Sequence, residues 1–280
     1  MNRISLYPNE KRDPDLEITR KIVELLSGEG VKFFVEEKYF SYLAAASSEI
    51  EFVSFEDLFE KGEVLVVLGG DGTILSVAKL AAEREIPVCG VNLGHVGFMA
   101  SLEKKELKKI RRILTDRFTF SDRMMISCAI NGKEELLALN ECVLAPENGF
   151  HIVETELFRD GKKFCDFRAD GIIFHTPTGS TGYSFSAGGA VCDGDFDLIG
   201  VKAISSYLLM GSHHMIFSPD TVFSARNCRS VDCPVTVCAD GREKRILSEG
   251  DEVTFARSNK RIRLLDFTRK TNHDIFFRKF

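Results

Sequence analysis

Residues 63 to 73 read Glu-Val-Leu-Val-Val-Leu-Gly-Gly-Asp-Gly-Thr, and this run leaves little freedom in what it folds into. Val64 to Leu68 are uniformly apolar and largely β-branched, as expected of a strand covered on both faces. After Thr73, the sequence Ile-Leu-Ser-Val-Ala-Lys-Leu-Ala-Ala carries apolar residues at helical spacing. Gly69, Gly70 and Gly72 therefore occupy a strand-to-helix turn with one carboxylate, Asp71, among them. Glycine permits backbone angles closed to other residues and lets a ligand approach the main chain. The helix start adds unpaired N–H donors that suit an anion. Taken alone, the turn fits both a phosphate cradle built around Asp71 and a purely structural bend. Two commoner phosphate fingerprints are excluded. Counting from Gly70, a Gly-x-Gly-x-x-Gly pattern needs glycine at 75 and meets Leu75, and the chain has no Gly-Lys-Ser or Gly-Lys-Thr.

The first 115 or so residues alternate strand and helix signals around this turn. Ile4 to Tyr7, Val31 to Val35 and Ile86 to Val91 read as further strands. A helix opens at Asp13-Pro14, where a capping Asp precedes Pro at a first helical position, and another covers Leu102 to Leu114. This is the pattern of a Rossmann-like open α/β sheet, in which ligands gather at the carboxyl ends of the strands. The loop Asn92-Leu-Gly-His-Val-Gly-Phe98 lies at such an end. From about residue 121 the texture changes to short alternating strands with hairpin turns at Asn131-Gly132 and Asp160-Gly161, so an all-β, sandwich-like second domain is expected. One helical stretch, Phe196 to Met210, is expected to interrupt it. The expected domains are 1–120 and 121–255, with residues 256–280 as a C-terminal segment.

The chain has 280 residues, is 44% hydrophobic and 28% charged, and carries a formal charge of -5, which is globular with no basic surplus for nucleic acid. Basic pairs such as Lys104-Lys105, Lys108-Lys109 and Arg111-Arg112 read as a solvated helix face. No apolar stretch approaches the roughly 20 residues of a membrane span, and the first residues lack a signal-peptide core, so a cytoplasmic protein is expected. The eight cysteines include no Cys-x-x-Cys, which predicts reduced, packed thiols. His213-His214 reads as a solvated turn, because adjacent residues point apart on either a strand or a helix.

The second unusual string runs from Arg168 through Asp170-Gly171 to Thr176-Pro-Thr-Gly-Ser-Thr-Gly-Tyr183-Ser-Phe-Ser186 and Gly188-Gly189. Its hydroxyls and amides suit a polar ligand, and the Tyr183 ring offers a flat face to a base; a Ser/Gly-rich surface loop is the plainer alternative. A nucleophile elbow around Ser180 needs glycine at 178 and finds Thr178. A calcium loop beginning at Asp193, Asp195 and Asp197 fails at Leu198 and Ile204.

Gly69-Gly-Asp-Gly-Thr73, Asn92-x-Gly-x-x-Gly-Phe98, Asn140-Glu141 and Asp170-Gly…Thr176-Pro-Thr-Gly-Ser-Thr-x-Tyr183-Ser together resemble the NAD kinases, in that order and over most of the chain. The glycine-aspartate turn alone also occurs in lipid kinases; the Thr-Pro-Thr-Gly-Ser-Thr string is far more particular to NAD kinases. The resemblance implies that Asp71 is the base accepting the proton of the adenosine 2′-hydroxyl, and that Gly69, Gly70, Gly72 and Thr73 handle phosphates. It places Phe98 beside the ligand, assigns adenosine to Asn140 and Glu141, and sends Arg168 and Asp170 to the nicotinamide side and bridging phosphates. Thr181, Gly182, Tyr183, Ser184, Phe185 and Ser186 match the segment lining the dinucleotide, and His151 and Asp240 fall at further contacts. It also implies NAD and ATP as substrates, Mg²⁺ as the divalent cation, a C-terminal segment returning to the first domain, and a homo-dimer or homo-tetramer whose subunits share the ligand site. Gly182 stands where the family usually has alanine, and Met210 to Pro219 departs from its Pro-His…Arg-Pro stretch.

The chemistry is coherent without the name. Phosphoryl transfer needs positioning, neutralised phosphates and a group to take the nucleophile's proton. A carboxyl of unperturbed pKa about 4 is ionised at neutral pH and suits that role. A small-molecule or lipid kinase sharing the turn, and a non-catalytic NAD(P)-binding regulator, are the alternatives.

Overall fold

The computed structural model describes residues 1–94, 97–148, 151–206, 213–268 and 272–279. The chain forms two compact units, one of Met1–Asp122, Ile262–Lys270 and Asp274–Phe280, the other of Arg123–Arg261 and Thr271–His273.

In the first unit, β1 (Arg3–Pro8), β2 (Lys32–Glu36), β3 (Ile50–Val53), β4 (Val64–Gly69) and β5 (Val88–Asn92) form a parallel sheet in the order β3-β2-β1-β4-β5. Beyond β5 lies the two-residue β6 (Leu102–Glu103). Every residue of β4 is buried, which explains its unbroken apolar run: helices cover such a sheet on both faces. The helices are α1 (Glu17–Leu26), α2 (Phe40–Leu43), α3 (Asp57–Lys61) and α4 (Asp71–Glu83), with a 3₁₀ helix over Lys104–Thr115. Asp13 caps α1 from a distance, across the Pro14–Leu16 turn. Its buried carboxylate accepts the Ile18 and Thr19 N–H groups at 2.8 and 2.9 Å and the Thr19 hydroxyl at 2.6 Å, satisfying donors that a helix start leaves open. The strand order reverses direction between β1 and β4, which is where open α/β sheets hold ligands.

The second unit is a sandwich. One sheet has the order β14-β13-β12-β9-β16-β17, from β9 (Glu141–Pro146), β12 (Gly171–His175), β13 (Ile199–Ile204), β14 (Met215–Phe217), β16 (Val235–Ala239) and β17 (Glu243–Ile246). The other is built from β7 (Thr119–Ile130), β8 (Lys133–Ala138), β10 (Val153–Arg159), β11 (Lys162–Ala169), β15 (Phe223–Arg229) and β18 (Val253–Asp266). Side chains of the two inner faces form one core, in which Phe174 stacks on Phe255 with centroids 3.9 Å apart and also meets Phe223. Asn131-Gly132 and Asp160-Gly161 close the β7–β8 and β10–β11 hairpins with φ near +50° at the first residue and above +75° at the glycine, the paired positive values of a type I′ turn. Two short helices complete the chain, α5 (Tyr183–Ser186) and α6 (Asn272–Lys279).

One expected element is corrected. The helical stretch at Phe196 to Met210 contains β13, which pairs antiparallel with β12 from Gly200↔His175 to Ile204↔Gly171. Ile199-Gly-Val-Lys-Ala-Ile204 alternates between the sandwich core, which takes Ile199, Val201 and Ala203, and the opposite face, which takes Gly200 and Lys202; period two, not 3.6, governs it. Residues 207–210 lie outside the described residues. All eight cysteines are free, and among the described residues no helix is long and apolar enough to cross a membrane.

Candidate functional site

Two clusters hold most of the residues singled out from the sequence, one in each unit. The first is the turn after β4. Asp71 is the first residue of α4, and its two carboxylate oxygens accept the backbone N–H groups of Phe98 and Met99 at 2.8 and 3.1 Å. The acid is thus aimed by the loop after β5. Asn92, buried at the end of β5, shapes that loop: its Oδ1 accepts the Gly94 N–H at 2.9 Å. A residue not anticipated from sequence also joins the turn. Asn9 follows β1, and its Nδ2 donates to Thr73 Oγ1 at 2.9 Å while its backbone N–H donates to the Leu68 carbonyl at 2.9 Å. Asn9 thereby links the ends of β1 and β4 at the point of strand reversal, which only the strand order reveals.

The glycines of this turn are of two kinds. A Cβ at Gly69 would lie 2.2 Å from Thr73 Oγ1, so packing demands glycine there. At Gly70 and Gly72 a Cβ meets nothing within 4 Å, and neither has the positive φ that would otherwise call for glycine. Nothing in the described chain explains them, whereas a ligand lying against the α4 amides does.

The second cluster, in the other unit, is built where β9 starts and β12 ends. Cross-strand register sets Gly200, His175 and Glu141 side by side, on the sheet face opposite the core that takes Phe174 and Cys142. Asp240, at φ +49°, spreads its carboxylate over three backbone donors: Leu139 at 2.8 Å, Asn140 at 2.8 Å and Glu141 at 3.1 Å. Thr176 grips the same segment, its N–H on the Asn140 carbonyl at 2.9 Å and its hydroxyl on the Leu139 carbonyl at 2.6 Å. Gly179 rides so close that a Cβ would stand 2.1 Å from the Asn140 carbonyl oxygen. Asn140 and Glu141 are each about 8% exposed, and Asn140 Oδ1 and Glu141 Oε2 have no hydrogen-bond partner among the described residues. Both side chains crowd Gly182, where a Cβ would lie 3.0 Å from Glu141 Oε2 and 3.2 Å from Asn140 Nδ2. Buried polar atoms left unsatisfied cost free energy, so this cradle is built for a polar guest.

Its electrostatics are set by burial. Loss of solvent, with the Asp240 carboxylate second, pushes the Glu141 carboxyl up to about 8. Burial also raises Asp240 to about 6 despite its three backbone donors. Glu141 is therefore a neutral acid at pH 7, able both to donate and to accept.

Around this cradle Thr181 donates its hydroxyl to the Thr178 carbonyl, Tyr183 and Phe185 present exposed rings, Ser186 is exposed, and Ser184 is buried with its Oγ unpartnered among the described residues. Other expected residues lie elsewhere. Asp170 precedes β12 at the end opposite His175, roughly 15 Å from the Glu141 end at ~3.3 Å per residue. Arg168 pairs with Glu154 at 3.1 Å and lines a separate groove with Glu156, Asp166 and Arg229. His151 is half-buried before β10, and no hydrogen bond links it to Asn140 or Glu141. Asp197, in the string that fails as a calcium loop, accepts from Arg261 at 2.7 and 3.0 Å. The solvated His213-His214 turn is corrected in part: His213 is exposed, but the His214 ring is half-buried with its Nε2 2.7 Å from His175 Nε2. Adjacent residues on an extended chain face opposite ways, so one of the two turns inward.

Most of the chain matches known proteins. The model of the ATP-NAD kinase N-terminal domain matches residues 6–118, and that of the ATP-NAD kinase C-terminal domain matches residues 139–267. The NAD kinase of Natranaerobius thermophilus is 31% identical over 284 residues, covering 100% of this chain and 98% of that one. A Clostridium botulinum NAD kinase is 34% identical over 247 residues, covering 84% and 86%. Among solved structures, yeast NADH kinase complexed with NADH has the same fold, with a TM-score of 0.84 at 23% identity over 100% of this chain and 86% of that one.

Proposed function

The chain belongs to the NAD kinase family, and on that footing we propose that it phosphorylates NAD to NADP by transfer from ATP to the adenosine 2′-hydroxyl. Matches to both domain models favour this over a lipid kinase that shares only the glycine-aspartate turn. The observation that carries the acceptor side is the pair of buried atoms Asn140 Oδ1 and Glu141 Oε2 beside Gly182, which have no partner among the described residues. A carboxamide matches the donor and acceptor edge of adenine, and a neutral carboxyl can both accept from and donate to a ribose hydroxyl.

In the proposed reaction the 2′-oxygen forms a bond to the γ-phosphorus, the bond from that phosphorus to the ADP oxygen breaks, and the hydroxyl proton passes to the Asp71 carboxylate. Asp71 is held for this by the Phe98 and Met99 amides. The amides around Gly70 and Gly72 receive phosphate oxygens, a use that their open surroundings support. Among the described residues no group of three or more His, Cys, Asp or Glu could hold a metal ion. Mg²⁺, usually held by phosphates, water and few protein ligands, would supply charge neutralisation on the triphosphate.

The protein is further proposed to act as a homo-dimer or homo-tetramer in the cytoplasm. Arg168 and Asp170 lie apart from the Asn140 cradle of their own chain, which supports their serving a neighbouring copy. The free cysteines support a reducing compartment. Light scattering of the purified protein tests the assembly, and a fully active monomer contradicts it. The reaction is tested by incubating the protein with NAD, Mg²⁺ and a series of phosphoryl donors, reading NADP with an NADP-specific dehydrogenase. NADP above a no-enzyme control is expected with ATP; none with any donor overturns the proposal.

A further inference from the structure

His175 and His214 are 39 residues apart, and their rings meet with centroids 4.9 Å apart and Nε2 atoms at 2.7 Å. The remaining nitrogens fix the protons. Ala190 donates its backbone N–H to His214 Nδ1 at 2.9 Å, so that nitrogen bears a lone pair and the proton of a neutral His214 sits on Nε2. It is donated to His175 Nε2, which must then be the acceptor. The His175 proton lies on Nδ1 and is donated to the Thr176 carbonyl at 2.7 Å. One pattern satisfies all four ring nitrogens, and it requires both imidazoles to be neutral. Burial favours that state, lowering His175 to about 4 and His214 below its ordinary value, with Lys202 adding to the effect at His214.

The two backbone groups joined in this way are not arbitrary. Thr176 opens the hydroxyl-rich segment that contains Gly179, Gly182, Tyr183 and Ser184, and Ala190 follows its last glycine pair. Thr176 is also the residue whose N–H and hydroxyl hold Asn140 and Leu139. The imidazole pair therefore ties the two ends of the segment together through Thr176 C=O and Ala190 N–H. Gly200 makes room for it, since a Cβ there would lie 2.0 Å from His175 Nε2.

We propose that His175 and His214 are positioning residues, a neutral imidazole pair that closes the 176–190 segment on itself and holds Asn140, Glu141 and Gly182 in register for the dinucleotide. The inference rests on the assignment of that cradle to NAD. Neither ring is asked to touch the reacting atoms; the pair acts through Thr176 and Ala190.

Two measurements test it. Nitrogen-15 spectra of the wild-type imidazoles are expected to show His175 as the Nδ1–H tautomer and His214 as the Nε2–H tautomer at pH 7.5. The opposite tautomer of either ring, or a charged ring, overturns the pairing whatever the activity. In steady state, His214→Leu is expected to raise KM for NAD about tenfold with kcat within about twofold. His214→Gln, which keeps a neutral N–H donor near the Nε2 position, is expected to stay within about threefold of wild type in KM. Equal KM values for His214→Leu and wild type overturn the proposal, as does a His214→Gln variant that folds yet matches His214→Leu. Wild-type protein assayed alongside separates the two readings: failure to form NADP there counts against the enzyme assignment, while the tautomers still decide the pairing.

Discussion

Gly70 and Gly72 of the Asp71 turn and the glycines packed around the Asn140 cradle do opposite work. At Gly179, Gly189 and Gly200 a Cβ would come within 2.1, 2.3 and 2.0 Å of the chain's own atoms, so these glycines exist because the protein fills the space. At Gly70 and Gly72 a Cβ meets no atom of the described residues within 4 Å, so those glycines are unexplained by the described chain. The polar groups differ in the same sense. In the first turn the Asp71 oxygens are met by amides; in the second region, Asn140 Oδ1 and Glu141 Oε2 are buried without a partner among the described residues. One region is open at its outer glycines, and the other is a tight mould around buried polar atoms.

The largest expected effect lies at the acid. Asp71→Asn is expected to lower kcat by about 10² to 10⁴, the usual contribution of a general base. It also costs one of the two amide contacts to Phe98 and Met99, so NAD affinity is to be measured by calorimetry in the same preparation. Affinity within about threefold of wild type is expected, because the Asn140 cradle is untouched, and wild-type turnover removes Asp71 from the base role.

Next comes the buried carboxyl of the mould. In the folded protein Glu141 holds its proton up to about 8, whereas an unfolded Glu releases it near 4.3. Its favourable contribution is complete below that unfolded value and lost as pH rises through 8. Glu141→Gln, a permanently neutral copy, is expected to gain on wild type across this window, by on the order of 2 to 4 kcal/mol at pH 9. Denaturant unfolding at pH 5, 7 and 9 checks it, and stability curves that stay parallel contradict it. His175 acts in the opposite direction. Its pKa is lowered to about 4, so its contribution is complete above about 6.5 and is lost as pH falls toward 4.

Two alanine substitutions sharpen the contrast between the glycines. Gly179→Ala forces a methyl against the Asn140 backbone and is expected to cost about 1–3 kcal/mol of stability, with KM for NAD raised at least tenfold. Gly72→Ala enters open space near the start of a helix, where alanine is the better helix former by about 1 kcal/mol at interior positions. Thermal stability is expected to hold or rise slightly while KM for ATP increases by about tenfold. If Gly72→Ala unfolds the protein, or leaves every kinetic constant unchanged, the distinction between the two kinds of glycine fails.

Much of this was legible in the residues because local pattern and burial agree. The apolar run Val64–Leu68 is fully buried, and Asn131-Gly132 and Asp160-Gly161 make the turns their chemistry favours. Asp13 was readable as a cap, though it serves α1 across an intervening turn. What stayed hidden depends on register and distance. Asn9 reaches Thr73 only because β1 and β4 are adjacent, and His175 meets His214 only because the chain returns there after 39 residues. The β13 strand is not legible locally, because a six-residue apolar stretch broken by Gly200 and Lys202 suits helix and strand alike until its partner is known. Asp240 carried no signal of its own beyond a family resemblance, yet it holds three consecutive amides of the mould.

Phosphorus-31 NMR of the product formed from NAD, ATP and Mg²⁺ tests the central claim most directly. Wild-type protein is expected to yield ADP and a single new phosphomonoester on the adenosine 2′-oxygen, with the Asp71→Asn sample nearly empty of it over the same time. No monoester, or one attached at another oxygen of the dinucleotide, contradicts the assignment of Asn140 and Glu141 to the adenosine and of Asp71 to its 2′-hydroxyl.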